Sequence, residues 1–177
     1  CGVSALSLGT NAPTLLRNEA QFYPAGSAHQ VPWAKQGLTV RAGVPCFGSC
    51  WGLQVAVTAA GGSVVRNPRG REFGFARRIM LTSQGREHAM FAGKPVVFEA
   101  VTVHMDAVDS LPAGATALAY NDMGLQAAEI RFAKGSFWGV QYHPEYTFAE
   151  IAAMARRYGE VLIGEGLVES QQELETL

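Results

Sequence analysis

The stretch Val44-Pro45-Cys46-Phe47-Gly48-Ser49-Cys50-Trp51-Gly52 constrains the fold more than any other part of the chain. Val44 to Gly48 is a short apolar run, the pattern of a buried strand. From Trp51 to Ala60 the residues are apolar nearly all round and then meet Gly61-Gly62. That predicts a helix packed under a sheet and closed by a glycine C-cap. A strand that passes into a helix through Gly48-Ser49-Cys50 lifts one side chain above the strand ends, the geometry of a nucleophile elbow. Here that side chain is a cysteine. The flanking glycines permit the tight backbone, the helix dipole favours the thiolate, and the Trp51 backbone N–H at the helix start is suited to stabilising an oxyanion. Taken alone, Gly48 to Gly52 fits a nucleophile and a small buried hydrophobe equally well.

The rest of the chain fills in a layered α/β protein. Pro95 to Val103 and Ala115 to Tyr120 read as strands, and Leu125 to Phe132 with Phe137 to Tyr142 as a hairpin around Ala133-Lys134-Gly135-Ser136. Thr147, with Glu150 three residues on, predicts a capped helix start. Beyond it Ile151, Met154, Ala155, Tyr158, Val161 and Leu162 recur at helical spacing and are expected in the core. Strands alternate with helices before residue 65, strands dominate from 73 to 142, and a helix follows. At 177 residues the chain is expected to be one domain, and a hydrophobic share of 48% supplies its core.

Composition narrows the function. Fourteen basic against 15 acidic residues leave a net charge of −1, so no basic face tracks phosphates and nucleic acid is excluded as the main partner. No run approaches the roughly 18 apolar residues of a membrane span, and no signal-peptide pattern opens the chain. Three cysteines, Cys1, Cys46 and Cys50, are an odd number and too few for a disulfide framework, which points to a reducing cytoplasm. Cys46 and Cys50 stand in a C-x3-C without a second ligand pair, so no metal is expected.

A second signal lies in Gln141-Tyr142-His143-Pro144-Glu145, at the end of an apolar run. Residues two apart on a strand face one side, so His143 and Glu145 can meet, with Pro144 ending the ladder. Such a pair on its own is commonly a surface contact. A histidine held by a carboxylate is also what a cysteine nucleophile needs, and each signal supplies what the other lacks.

Gly48-Ser49-Cys50-Trp51-Gly52-Leu53-Gln54 together with Tyr142-His143-Pro144-Glu145 resembles the class I, triad-type glutamine amidotransferases, over roughly residues 26 to 162. The resemblance implies the flavodoxin-like architecture of that family, a mostly parallel sheet flanked by helices. It implies Cys50 as nucleophile, His143 as general base and acid, and Glu145 as the orienting carboxylate, with no cofactor. It further implies that Gly26-Ser27 lies in the loop giving a second oxyanion N–H and that Gln54 helps hold the substrate glutamine. Glu72-Phe73-Gly74 and Val103-His104-Met105-Asp106 resemble segments of the GMP-synthase-like branch. His104 and Asp106 are expected on one strand face, in a structural role or at the substrate rim. Asn67-Pro68-Arg69-Gly70-Arg71 reads as a turn with solvated arginines.

The expected activity is release of ammonia from glutamine through a cysteinyl thioester, for an acceptor on a separate synthetase partner. A γ-glutamyl peptide or amine hydrolase with the same three residues is the alternative, and an inactive regulatory subunit a second one. Only 25 residues precede Gly26, fewer than the 30 or so of a strand–helix–strand unit, so the first unit is expected to be incomplete in this chain.

Overall fold

The structure is a computed structural model that describes residues 2–3, 46–132 and 135–176. Strand β1 (Gly2–Val3) pairs in parallel with β2 (Cys46–Ser49), where the apolar run was expected. From β2 the chain passes into helix α1 (Trp51–Ala59), as predicted. Leu53, Val55, Ala56 and Val57 of α1 are all buried. Leu53, Ala56 and Val57 pack with Val64, Leu125, Ala128, Ile130 and Phe137 into one core layer. Truncating a leucine in such a position to alanine costs about 2–5 kcal/mol. The predicted glycine cap closes the helix: Gly61 takes a positive φ of 96°, its N–H bonds Thr58 O at 3.1 Å, and Gly62 N–H bonds Val57 O at 2.9 Å. Those are the two bonds of a Schellman ending.

Strand β3 (Ser63–Arg66) pairs with β6 (Asp106–Ser110) as a separate two-stranded ribbon. The main sheet continues with β4 (Glu72–Leu81), β5 (Val97–His104), β7 (Ala115–Asn121), β8 (Gly124–Phe132) and β9 (Gly135–Val140), in the order β1-β2-β9-β8-β7-β4-β5. On the face away from α1, helix α2 (Ser83–Glu87) and the 3-10 turn Ala89–Phe91 help close a second core containing Ile79, Leu81, Phe91, Leu118 and Ala127. Ala127 and Ala128, adjacent on β8, therefore belong to different layers.

The layered α/β class is present, and among the described residues its sheet is mixed. Pairing is parallel at β1–β2 and β2–β9, and antiparallel from β9 through β8, β7 and β4 to β5. The reason is connection length. Strands β7, β8 and β9 follow one another through tight turns, and a short turn can join only antiparallel neighbours. The expected hairpin is β8–β9, closing with Phe132 opposite Gly135.

Helix α3 (Phe148–Arg157) begins with the predicted capping box: Thr147 Oγ1 accepts from Glu150 N at 3.3 Å, and Glu150 Oε2 accepts from Thr147 N at 2.8 Å. The expected core stripe holds at Ile151, Met154, Ala155 and Leu162, with Tyr158 partly buried. Val161 departs from it, being 41% exposed. The helix does not continue: it breaks at Tyr158 and resumes as α4 (Gly159–Gly164). Gly159 lies so close to Leu174 of α5 (Gln171–Thr176) that a Cβ there would collide with it. Past the break Leu162 meets Ala155 and Leu174, while Val161 turns outward.

The Asn67–Arg71 turn also departs from expectation. Arg69 is exposed, but Arg71 is buried and holds Glu165 through two bonds, Nε to Oε2 at 2.7 Å and Nη2 to Oε1 at 3.1 Å. Its partner lies 94 residues away, beyond any local pattern. Among the described residues no helix is long and apolar enough to cross a membrane.

Candidate active site

Cys50 stands at the elbow between β2 and α1 with φ 49° and ψ −108°. A non-glycine residue in so sparsely populated a region costs about 1–3 kcal/mol and persists only where its surroundings hold it. Three contacts do so. Cys50 N–H bonds Val140 O at the end of β9 at 2.7 Å, Cys50 O accepts from Gln54 N at 3.2 Å, and Gly48 brings strand and helix together. A Cβ on Gly48 would stand 2.7 Å from Phe137 Cζ and 3.2 Å from the Gly52 backbone. The side chain of Cys50 is buried. Its sulfur accepts from Gln141 Nε2 at 3.5 Å and faces Val103 O at 3.6 Å.

The imidazole of His143 joins Cys50 to Glu145. The sulfur raises its pKa, and its Nδ1 lies 2.8 Å from Glu145 Oε1. The two residues meet across a turn rather than along a strand. Strand β9 stops at Val140, and Tyr146 N–H bonds back to His143 O at 3.3 Å over Pro144 and Glu145. His143 N–H is anchored on Val101 O at 2.8 Å. Its ring stacks on Tyr146, with centroids 4.3 Å apart and planes 9° from parallel. Ser49 Oγ donates to the same Glu145 Oε1 at 3.0 Å.

Electrostatics follow from these contacts. Burial by itself depresses the His143 pKa, but the charge and hydrogen bond of Cys50, then the hydrogen bond and charge of Glu145, outweigh it and push the imidazole up to about 10. Burial alone would raise Glu145; the hydrogen bond and charge of His143, helped by Ser49, hold it below the usual carboxylate range. At neutral pH the site therefore holds an imidazolium between the sulfur and a carboxylate.

Gln54 is buried, and its Nε2 donates to Asp106 O at 3.0 Å and to Gln141 Oε1 at 3.3 Å. His104 is 1% exposed, so it lies in the interior rather than on a rim. Its Nε2 is 2.8 Å from Glu72 Oε2 and its Nδ1 2.9 Å from Asp106 O. Glu72, directly opposite His104 in the β4–β5 register, draws it inward and also accepts from Asn121 and Gln126. Asp106 is half-buried, and β5 and β6 part at Met105, so the two residues do not share one continuous strand. Trp51 is the first residue of α1, which sets its N–H beside Cys50. Cys46, at the other end of β2, packs against the α1 core layer. Gly26 and Ser27, with the N-terminal unit, lie outside the described residues. Among the described residues no group of three or more His, Cys, Asp or Glu side chains is placed to hold a metal ion.

Three contributors escaped sequence reasoning: Ser49, Gln141 and Tyr146. Ser49 and Gln141 lie inside the two motifs, so their proximity to Cys50 and His143 was the available signal. Tyr146 follows His143 by three residues, the spacing of a single turn.

Comparison with known proteins agrees with this geometry. Residues 24–155 match the family described as glutamine amidotransferase class-I. A gamma-glutamyl-L-1-hydroxyisopropylamide hydrolase from a Pseudomonas species is 37% identical over 153 residues, covering 85% of this chain and 51% of the relative. A glutamine-hydrolysing GMP synthase from Thermosipho africanus is 36% identical over 104 residues, covering 59% of this chain and 19% of the relative. This chain thus spans only half or less of these relatives' lengths. A crystal structure of a glutamine amidotransferase from Thermotoga maritima superposes with a TM-score of 0.56 at 25% identity, covering 73% of this chain and 53% of that one. A match over most of the sequence, on a layered α/β fold with a cysteine elbow, identifies the chain as a member of the class I glutamine amidotransferase family.

Proposed function

We propose that this chain, residues 1–177 acting as one amidotransferase domain, hydrolyses a γ-glutamyl amide through Cys50, His143 and Glu145, with glutamine as substrate and ammonia as product. The observation that carries the proposal is the pairing of His143 Nδ1 with Glu145 Oε1 at 2.8 Å, on a carboxylate that Ser49, next to the cysteine elbow, also holds at 3.0 Å. Cys50 thiolate attacks the side-chain carbonyl carbon, and the C=O electron pair moves onto oxygen. The Trp51 N–H stabilises that oxyanion; one such donor contributes about 3–4 kcal/mol. Collapse breaks the C–N bond while the His143 imidazolium protonates the departing nitrogen, giving ammonia and a γ-glutamyl thioester. Neutral His143 then takes a proton from water, the hydroxide displaces the sulfur, and glutamate leaves with thiolate and imidazolium restored. Glu145 orients the ring and stabilises its charge.

The similarity to glutamine-hydrolysing GMP synthases supports passage of the ammonia to an acceptor on a synthetase partner. Three cysteines, an odd number and too few for a disulfide framework, favour a reducing compartment such as the cytoplasm. A second reading keeps the chemistry and changes the leaving group to an alkylamine. It is favoured by the Pseudomonas hydrolase, which aligns with 85% of this chain. Parallel assays of ammonia release from glutamine and of amine release from N-alkyl γ-glutamylamides test the proposal. Turnover of glutamine supports the first reading, turnover of the alkylamides alone the second, and turnover of neither contradicts both.

A further inference from the structure

The Cys50 sulfur has a contact that the hydrolytic steps above leave unused, the amide of Gln141. Its orientation follows from hydrogen-bond chemistry, starting at the Asp106 main-chain carbonyl. A carbonyl oxygen only accepts, so Gln54, 3.0 Å away, must present its NH2 there. The same NH2 lies 3.3 Å from Gln141 and faces its Oε1. Gln141, held by its oxygen, is left with its NH2 directed at Cys50 Sγ, 3.5 Å away. The starting point is itself fixed. Asp106 O also accepts from His104 Nδ1 at 2.9 Å, and His104 is pinned at Nε2 by Glu72 at 2.8 Å. Glu72 is held in turn by Asn121 Nδ2 and Gln126 Nε2. The amides of this chain are interior at Gln141 and Gln126, both fully buried, and at Gln54, 3% exposed.

We infer that Gln141 is a catalytic donor to the Cys50 thiolate, and that Gln54 and the Glu72–His104 pair are positioning residues that keep its NH2 on the sulfur. The inference rests on Cys50 being the nucleophile of the proposed function. A thiolate accepts hydrogen bonds and cannot donate, so it gains from Gln141 and is repelled by Val103 O, whereas a thiol can donate to Val103 O at 3.6 Å. Gln141 thus tips the sulfur towards the form that attacks.

The test is the pH dependence of iodoacetamide alkylation, read at each cysteine by peptide mass spectrometry, in the full chain and without substrate. Gln141→Leu should slow Cys50 alkylation at neutral pH about tenfold, the worth of one hydrogen bond to a charged group, and move its pH profile upward. Gln54→Leu should move the profile in the same direction by less, because Gln141 keeps its NH2 but loses its anchor. Gln141→Glu, close in shape and so the safer fold, should also alkylate more slowly than wild type, since its carboxylate only accepts. A Gln141→Leu or Gln141→Glu profile that superimposes on wild type, in protein folded by circular dichroism, would overturn the inference. A wild-type Cys50 that alkylates no faster than Cys46 would overturn it together with the nucleophile assignment. The substrate assays above fail independently of either result.

Discussion

Ser49 Oγ donates to Glu145 Oε1 across 3.0 Å, although the two residues are 96 positions apart in sequence. The oxygen that receives it is the one 2.8 Å from His143 Nδ1. The residue preceding Cys50 thus also fixes the carboxylate that holds the His143 ring, so the two motifs are fastened to each other by a side chain from each.

Removing that fastening should cost rate rather than affinity. A net contribution of about 0.5–1.5 kcal/mol for one such bond predicts that Ser49→Ala lowers kcat about two- to tenfold with KM nearly unchanged. Steady-state kinetics on glutamine check this. An unchanged kcat would mean that Glu145 is held well enough by His143 alone.

His143→Ala should be more damaging than Glu145→Gln. In the proposed mechanism the imidazole moves a proton in both half-reactions, whereas the carboxylate orients it and stabilises its cation. Neither residue belongs to a core cluster, so both variants should keep the wild-type circular dichroism. A larger kcat loss for Glu145→Gln, in folded protein, would exchange the two roles.

Stability should depend on pH through the same pair. The His143 pKa is raised to about 10, so its contribution is complete below the unfolded value near 6.5 and is lost as pH climbs towards 10. The Glu145 pKa is lowered, so its contribution is present above its unfolded value near 4.3 and is lost as pH falls. Urea unfolding should therefore show stability declining from about pH 7 to 10, with a slope of up to about 1.4 kcal/mol per unit. In His143→Ala that decline should flatten. An equal decline in both proteins would assign it to other groups.

Arg71 and Glu165 make a structural prediction away from the site. The Arg71 side chain is 3% exposed and Glu165 29%, so removing one partner leaves the other charge largely desolvated. Glu165→Gln should destabilise the fold by about 1–3 kcal/mol, the range for losing a buried polar partner, with kcat per folded molecule kept. Denaturation and kinetics on the same variant check the two halves separately.

The parts of this architecture that could be read from sequence are those whose partners are near neighbours. The strand–elbow–helix through Cys50, the Gly61-Gly62 ending and the Thr147–Glu150 box each need only consecutive residues. His143 and Glu145 were legible as a pair for the same reason, though a turn joins them and not a strand. What stayed hidden depends on sheet register and packing. Glu72 meets His104 only because β4 and β5 pair as they do, and Arg71 finds Glu165 across 94 residues. Val161 leaves the core because Gly159 must pack on Leu174. Among the described residues, one antiparallel pairing, β8–β9, was legible from its short turn, whereas the β4–β7 pairing joins strands that are not neighbours in sequence.

If Cys50 carries a γ-glutamyl group during turnover, intact-protein mass spectrometry on rapidly quenched mixtures with glutamine should catch it. A γ-glutamyl adduct is expected that maps to Cys50, is present in Cys46→Ser, and is absent together with turnover in Cys50→Ser. Glutamine hydrolysis persisting in Cys50→Ser, or an adduct mapping to Cys46, would contradict it.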